Sequence, residues 1–237
     1  MLLKTQLSMF ARAVKGIPMP RGCAVCGRRC HGFEIVCSDC QQKLNNLRFV
    51  KHYMVEKKSK KRIFILGKYA GVMKQAIGAL KYRNQPELAL WLGRELGEAF
   101  EKSPIYKPNL TLVPIPMNRE KELKRGYNQA ELIAQGIHDI TFGLGGTRLE
   151  RNALIRVKET QPLYQFGAED RQKEISGCMK VGQFNHHSTN GVVLVDDVYT
   201  TGATCREAIK VLTVAGIPVY GILAIGTTNK AFKVKSI

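Results

Sequence analysis

Apolar residues recur along the chain with two alternating spacings. Val192–Val195 (VVLV) is a continuous apolar run, the pattern of a strand buried on both faces. Val219–Ile225, Leu110–Val113 and Ile63–Leu66 (IFIL) read as further strands, the last followed by breaks at Gly67 and Gly71. Between them the spacing turns helical. Val72, Met73, Ala76, Ile77 and Leu80 share one face of a helix over 72–80. Pro86 fits a first helical turn and precedes the amphipathic run Leu88–Phe100. Ala130, Ile133, Ala134 and Ile137 form a stripe within Gln129–Ile140, and Ala203–Val214 is a helix stopped at Gly216. Strands alternating with helices predict an α/β domain, a mainly parallel twisted sheet flanked by helices. Gln41–Phe49 is short and mixed, and Lys51–Arg62 is polar enough for a linker or an exposed hairpin. Residues 143–190 are the least regular, and the adjacent His186 and His187 there read as solvated loop residues.

Composition adds bounds. With 237 residues, 44% hydrophobic and 24% charged, the chain can bury a core for one ordinary domain and a smaller module, which excludes a disordered chain. No apolar run approaches the ~18–20 residues of a membrane span. Residues 1–20 lack the long apolar core and small-residue cleavage site of a secretory signal, so a cytoplasmic protein is expected. The formal net charge is +18, and residues 1–62 hold 14 Lys/Arg against three Asp/Glu. That excess suits a polyanionic partner, nucleic acid before anionic membrane, although a solubilising surface has the same composition.

Five of the seven cysteines lie within eighteen residues, including the hooks Cys23-x-x-Cys26 and Cys37-x-x-Cys40. Thiols stay reduced in a chain without an export signal, so a disulfide framework is not expected. Two such hooks suit one tetrahedral Zn²⁺ held by Cys23, Cys26, Cys37 and Cys40, with no open position for water and hence a structural role. Cys30 and His31 are spare donors. Cys178 and Cys205 read as small buried hydrophobes. The organisation expected is a zinc-binding module at 1–50, a basic linker at 51–62, and the α/β domain at 63–237.

The most informative passage is VVLVDDVYTTGAT, residues 192–204. A buried strand delivers Asp196 and Asp197 at its C-terminal end, where open α/β sheets bind ligands. Backbone N–H groups at the following helix start, with the hydroxyls of Thr200, Thr201 and Thr204, form a receptor for a phosphate dianion. Gly202 and the small Ala203 let the backbone approach it. Asp196 and Asp197 can accept hydrogen bonds from vicinal ribose hydroxyls, so these residues describe a ribose 5-phosphate site.

The same string resembles the phosphoribosyl-diphosphate motif of type I phosphoribosyltransferases. Together with the double CxxC module, Lys81-Tyr82, Val113-Pro114-Ile115-Pro116 and Arg125-Gly126-Tyr127-Asn128-Gln129-Ala130, it is similar to the ComF family of competence-associated proteins. Gln161, Arg171 and Gly177 match a further family pattern, with Glu174 where Asn is expected. The resemblance implies a type I phosphoribosyltransferase-like fold that takes phosphoribosyl diphosphate with Mg²⁺. It also implies a diphosphate loop at Val113–Pro116 with Arg119. Prolines lack an N–H, so the loop donors are Ile115, Met117 or their neighbours, and a cis bond at Pro114 or Pro116 would suit the turn. Arg125–Asn128 either contacts the same ligand or caps a helix.

No residue is assigned a catalytic role, and no aromatic-plus-amide cluster marks a nucleobase pocket. Two functions follow. One is the handling of incoming single-stranded DNA in natural transformation, alongside helicase or recombination-mediator partners. Its contacts would be Lys51, Lys57, Lys58, Lys60, Lys61 and Arg62, with Phe49 and Tyr53 as stacking rings. The other is phosphoribosyl transfer to an unidentified base or other nucleophile.

Overall fold

The computed structural model describes residues 22–30, 34–49, 53–55, 61–143, 145–158, 174–183 and 189–228. Six strands build the main sheet: β1 (Tyr53–Val55), β2 (Arg62–Lys68), β3 (Thr111–Pro114), β4 (Arg148–Leu149), β7 (Val192–Tyr199) and β8 (Val219–Thr227). Their order is β1-β2-β8-β7-β3-β4, and every neighbouring pair is parallel except β1 with β2. The short β5 (Leu154–Arg156) and β6 (Met179–Val181) pair antiparallel as a separate ribbon. The helices are α1 (Ser38–Asn45), α2 (Gly71–Tyr82), α3 (Pro86–Glu101), α4 (Arg119–Arg125), α5 (Gln129–Thr141) and α6 (Ala203–Val214). The expected α/β architecture is therefore present as a mostly parallel mixed sheet. Of the two readings of Lys51–Arg62, the described part follows the hairpin: Tyr53–Val55 pairs with Arg62–Phe64. Among the described residues no helix is long and apolar enough to cross a membrane.

Side chains alternate across a strand, and here each central strand feeds two cores. Phe64, Leu66, Leu112, Val193, Val195, Leu223 and Ile225 pack on the face covered by α2, α3 and α5. Ile63, Ile65, Val113, Val192, Leu194, Ile222 and Ala224 pack on the face covered by α6 and the β5–β6 ribbon. Continuous apolar runs are thus required in these strands, as the sequence shows.

The order of strands also creates a crevice. From β3 the chain crosses over α5 to β4, whereas from β7 it crosses over α6 in the opposite direction to β8. The two neighbours therefore diverge beyond their C-terminal ends, which is where doubly wound sheets hold ligands. β3 stops first. Its register with β7 ends at Pro114↔Val195, and the Ile115 N–H adds one last bond to the Val195 carbonyl at 2.9 Å. β7 continues beside β8 as far as Tyr199↔Thr227.

The cysteine segment is packed on this body and shares its buried core. The strand β2 runs through Gly67, where a break was expected, because the chain around Arg48 bridges to it. Phe49 N–H donates to Leu66 O at 3.3 Å and Lys68 N–H to Leu47 O at 2.9 Å. Arg48 is ion-paired with Glu95, and Arg83 Nη1 donates to Val25 O at 3.0 Å.

Helices α3 and α5 touch through glycine. A Cβ added at Gly136 would lie 2.3 Å from the Leu90 carbonyl oxygen and 2.9 Å from the Arg94 nitrogen, both backbone atoms that cannot rotate away. Gly136→Ala must push the helices apart and is expected to destabilise the fold by about 1–3 kcal/mol in urea unfolding. An unchanged midpoint would show that this crossing has slack.

Candidate functional site

The two acids follow the parity of β7. Asp197 continues the face of Val193 and Val195, and Asp196 that of Val192 and Leu194. Asp197 is 4% exposed. Its Oδ2 is met by Lys81 Nζ at 2.9 Å, from the last turn of α2, and by Gln129 Nε2 at 3.0 Å, from the first turn of α5. Burial works against the Lys81 ammonium, but Asp197 and then Asp196 hold its pKa above the ordinary lysine value. Asp196 is half-buried, and its Oδ1 accepts the Asp197 N–H at 2.8 Å. Burial first, and the Asp197 carboxylate second, raise its pKa to about 7. A carboxyl with a raised pKa at a crevice is a candidate functional group.

Thr200 and Thr201 follow the strand, and Gly202 caps α6 in the left-handed region at φ 74°. A Cβ at Gly202 would fall 2.6 Å from Tyr199 Oη and 2.8 Å from its Cζ, so glycine is required by both conformation and space. Arg206 Nη1 donates to Thr201 O at 2.6 Å and holds the loop. The first turn of α6 carries no acidic residue, and no side chain caps it. Its start, with Ala203 and Thr204, therefore retains the positive end of the helix dipole.

Across the crevice, Pro116–Asn118 leads into α4. No cis peptide bond occurs among the described residues, so Pro114 and Pro116 are trans. The Ile115 N–H is occupied by Val195, which corrects its candidacy as a loop donor and leaves Met117 and Arg119. Asn118 caps α4 by accepting from the Lys121 N–H at 3.2 Å, and Gly126 closes it. Asn128 caps α5, accepting from Ala130 N–H at 3.0 Å, and donates to Ile115 O at 3.0 Å. Arg125 donates to Gln129 Oε1 and approaches Met117 Sδ at 3.4 Å, linking this loop to Asp197 through Gln129. Tyr127 donates to Leu80 O at 2.6 Å beside Lys81. Burial, with Arg156, Arg125 and Lys81 nearby, lowers the Lys121 pKa, so cations converge on the crevice. The roles of Lys81 and Gln129 as partners of Asp197 were not readable from their motifs, because pairing across 116 residues and 68 residues leaves no local pattern.

At the N-terminal end, the sulfurs of Cys23, Cys26, Cys37 and Cys40 all lie within 4.8 Å of one another. Cys26 and Cys37 Sγ are 3.8 Å apart. Zn–S bonds of ~2.3 Å in a tetrahedron require an edge of about 3.8 Å, so the donor set fits a metal such as zinc. All described cysteines are free thiols; Cys30 is buried outside the cluster, and Cys178 and Cys205 are buried in the sheet core. His31, Gln161, Arg171, His186 and His187 lie outside the described residues.

The basic stretch is only partly described. Lys61 Nζ donates to Val219 O at 2.7 Å, and the Arg62 guanidinium lies 4.4 Å from the Tyr220 ring centroid. Both are committed to the sheet. Lys51, Lys57, Lys58 and Lys60 lie outside the described residues. Phe49 is 3% exposed in the core and offers no stacking face, while Tyr53 is half-buried. Tyr82, next to Lys81 in sequence, is an exposed aromatic, at 83%.

No family model matches the chain. It is 27% identical over 195 residues to Competence protein ComFC of Bacillus subtilis, across 82% of this chain and 72% of that protein. It is also 26% identical over 204 residues to Competence protein F of Haemophilus influenzae, covering 77% and 86%. Its identity to DNA utilization protein YhgH of Escherichia coli is 23% over 198 residues, covering 80% and 83%. The names of these relatives, two of them competence proteins, support the resemblance to the ComF family. In this chain the cysteine cluster shares the buried core of the sheet that carries the acids.

The raised Asp196 acid has a thermodynamic consequence. Its folded value of about 7 exceeds the ordinary 3.8, so between those values the folded chain holds the extra proton and stability falls as pH rises. Asp196→Asn should match the parent near pH 4 and exceed it at pH 8 by up to about 4 kcal/mol. Equal differences at both pH values in denaturant titrations would contradict this. For the cysteines, protein purified without chelator should carry one metal ion per chain, and Cys40→Ser should lose it and unfold the segment, given about 10–16 kcal/mol for structural zinc. Elemental analysis and limited proteolysis read both.

Proposed function

We propose that this protein is a ComF-family member that acts in DNA uptake during natural transformation, handling incoming single-stranded DNA, and carries a phosphoribosyl-diphosphate site on a type I phosphoribosyltransferase-like fold. The observation that carries the site is the paired Asp196 and Asp197 at the diverging ends of β3 and β7. The names of the relatives, competence and DNA utilization proteins, support the pathway.

In this reading the 5-phosphate sits against the backbone of Thr200–Thr204, at the uncapped start of α6. The ribose hydroxyls donate to Asp196 and Asp197. Lys81 and Gln129 fix the Asp197 carboxylate so that one oxygen stays aimed while the other is held. Met117 N–H and the Arg119 side chain meet the diphosphate. Mg²⁺, bound with that ligand, would supply charge neutralisation for the departing diphosphate. The zinc-bearing cysteine module and the basic segment reaching Lys60 would contact the phosphate backbone of DNA. Transfer to an added acceptor is the outcome that would make the protein an enzyme, and diphosphate release reports it.

Calorimetry with phosphoribosyl diphosphate and Mg²⁺ tests the site. Asp196→Asn is the suitable variant, because removing the Asp197 carboxylate would leave Lys81 buried without its partner and disturb the fold. Asp196→Asn and Gly202→Ala should each weaken binding at least about tenfold, the value of a lost charge-assisted hydrogen bond. Unchanged affinity in both would remove the site. For DNA, neutralising Lys57, Lys58 and Lys60 should weaken oligothymidylate binding and flatten the log-affinity slope against log salt by about 0.7 per lost contact. Fluorescence anisotropy across a salt series measures it, and an unaltered slope would place the contacts elsewhere.

A further inference from the structure

Arg156 closes β5 and lies outside the strand, loop and helix start that carry the acids. Leu154, two residues earlier, is buried in the core on the α6 face. Side chains two apart on a strand share a face, so Arg156 is turned to the side of the sheet on which Asp196 lies. Its Nη1 is 3.4 Å from the Pro116 carbonyl oxygen, at the head of the loop proposed for the diphosphate. Its charge also bears on Asp196 of β7, on Lys121 of α4 and on Cys178 just before β6. Four separate elements thus meet around one guanidinium.

The ribbon that carries Arg156 is itself fixed. Val157 N–H donates to Cys178 O at 2.8 Å and Gly182 N–H to Ala153 O at 3.0 Å, which closes the ribbon at both ends. Glu207, 2% exposed on α6, accepts the Gly177 N–H at 2.7 Å. The ribbon therefore reaches the helix behind the proposed 5-phosphate subsite through Glu207, and the proposed diphosphate loop through Arg156. A neutral donor would satisfy the Pro116 carbonyl equally well. What a guanidinium adds is charge, and that charge stands near the acid that bears the repulsion of Asp197.

We propose that Arg156 is a positioning residue of the phosphoribosyl site, holding the diphosphate loop at Pro116 and supplying to Asp196 the cation that Lys81 supplies to Asp197. The inference rests on the phosphoribosyl part of the proposed function and adds the residue that joins the two halves of that site from the α6 side. The charged groups that bear on Asp196 are Asp197 from its own strand, Lys81 from α2 and Arg156 from β5. On α6, Glu207 is committed to Gly177 and Arg206 to Thr201 O, while β8 places Ala224 beside Asp196. Lys81 is held 2.9 Å from Asp197, so Arg156 is the cation whose removal alters Asp196 without uncoupling Asp197. A positive charge beside a carboxyl favours its ionised form, and the ionised form is the one that only accepts hydrogen bonds, as two ribose hydroxyls require. Without Arg156 the pH at which Asp196 ionises moves upward.

The test is calorimetry on the full chain with phosphoribosyl diphosphate and Mg²⁺ over a pH series spanning the value of about 7 for Asp196. Arg156→Gln and Arg156→Met remove the charge, the second with an apolar chain suited to the neighbouring core should the amide not be tolerated. Both should weaken binding about tenfold and move the midpoint of the affinity profile upward by about half a pH unit or more. The ligand's own titration is common to parent and variants and drops out of the comparison. Arg156→Lys keeps the charge and should keep the parent's midpoint. A neutral variant that binds as the parent does, while Asp196→Asn still weakens binding, would overturn the inference and leave the site standing. Weaker binding with an unmoved midpoint would reduce Arg156 to a support of the ribbon and overturn it too. So would an Arg156→Lys midpoint displaced as far as that of the neutral variants. No binding by the parent would remove the phosphoribosyl reading, and this inference with it.

Discussion

A carboxylate buried at the tip of a central strand is costly unless a cation and a hydrogen-bond donor reach it, and Asp197 has both. Lys81 comes from the end of α2 and Gln129 from the start of α5, so two helices that pack on the same face are tied to one oxygen. Arg125 extends the contact to the loop after β3 through Gln129. Each of these elements also packs by apolar contact, and this polar node, with Tyr127 on Leu80 O and Asn128 on Ile115 O, fixes their ends around the crevice. Asp197 is thus held by side chains anchored on two helices.

The second constraint is the parity of β7. Two adjacent acids on a strand must point to opposite faces, and the pair divides accordingly: one is clamped, the other strained. Asp197 is neutralised by Lys81, on the face covered by α2 and α5. Asp196, on the α6 side, bears the burial and the repulsion of its neighbour. Such an arrangement gives one rigid oxygen pair and one carboxylate whose energy improves when a hydroxyl or a cation arrives. Beyond it, the Tyr199 ring occupies the space that a Cβ at Gly202 would need, so the turn into α6 favours glycine there. The cysteine segment, packed through Arg48 and Arg83 onto α3 and its own buried chain, lies on the same body as this crevice.

Much of this was legible before any coordinates. The helices with apolar stripes, α2, α3, α5 and α6, lie within a residue or two of the boundaries that their spacing indicates, and α3 starts at Pro86 as expected. The four cysteines assemble as their hooks indicate. What escaped is equally physical. Helix α4 buries no residue, so it has no apolar period, and its limits come from the Asn118 cap and Gly126. The strands β1, β4, β5 and β6 are two or three residues long, too short for alternation to register. β7 extends four residues past its apolar run because Asp196 and Asp197 interrupt hydrophobicity without interrupting the ladder to β8. Lys81 and Gln129 were visible as motif residues, but their convergence on one carboxylate is a tertiary fact.

The most direct measurement is a crystal structure of the protein grown with phosphoribosyl diphosphate and Mg²⁺. Density for the 5-phosphate against the amides of Thr200–Thr204, with the ribose hydroxyls within hydrogen-bond distance of Asp196 and Asp197, is the expected result. A ligand bound away from the ends of β3 and β7, or a crevice that stays filled by solvent at saturating ligand, would contradict the assignment of this site.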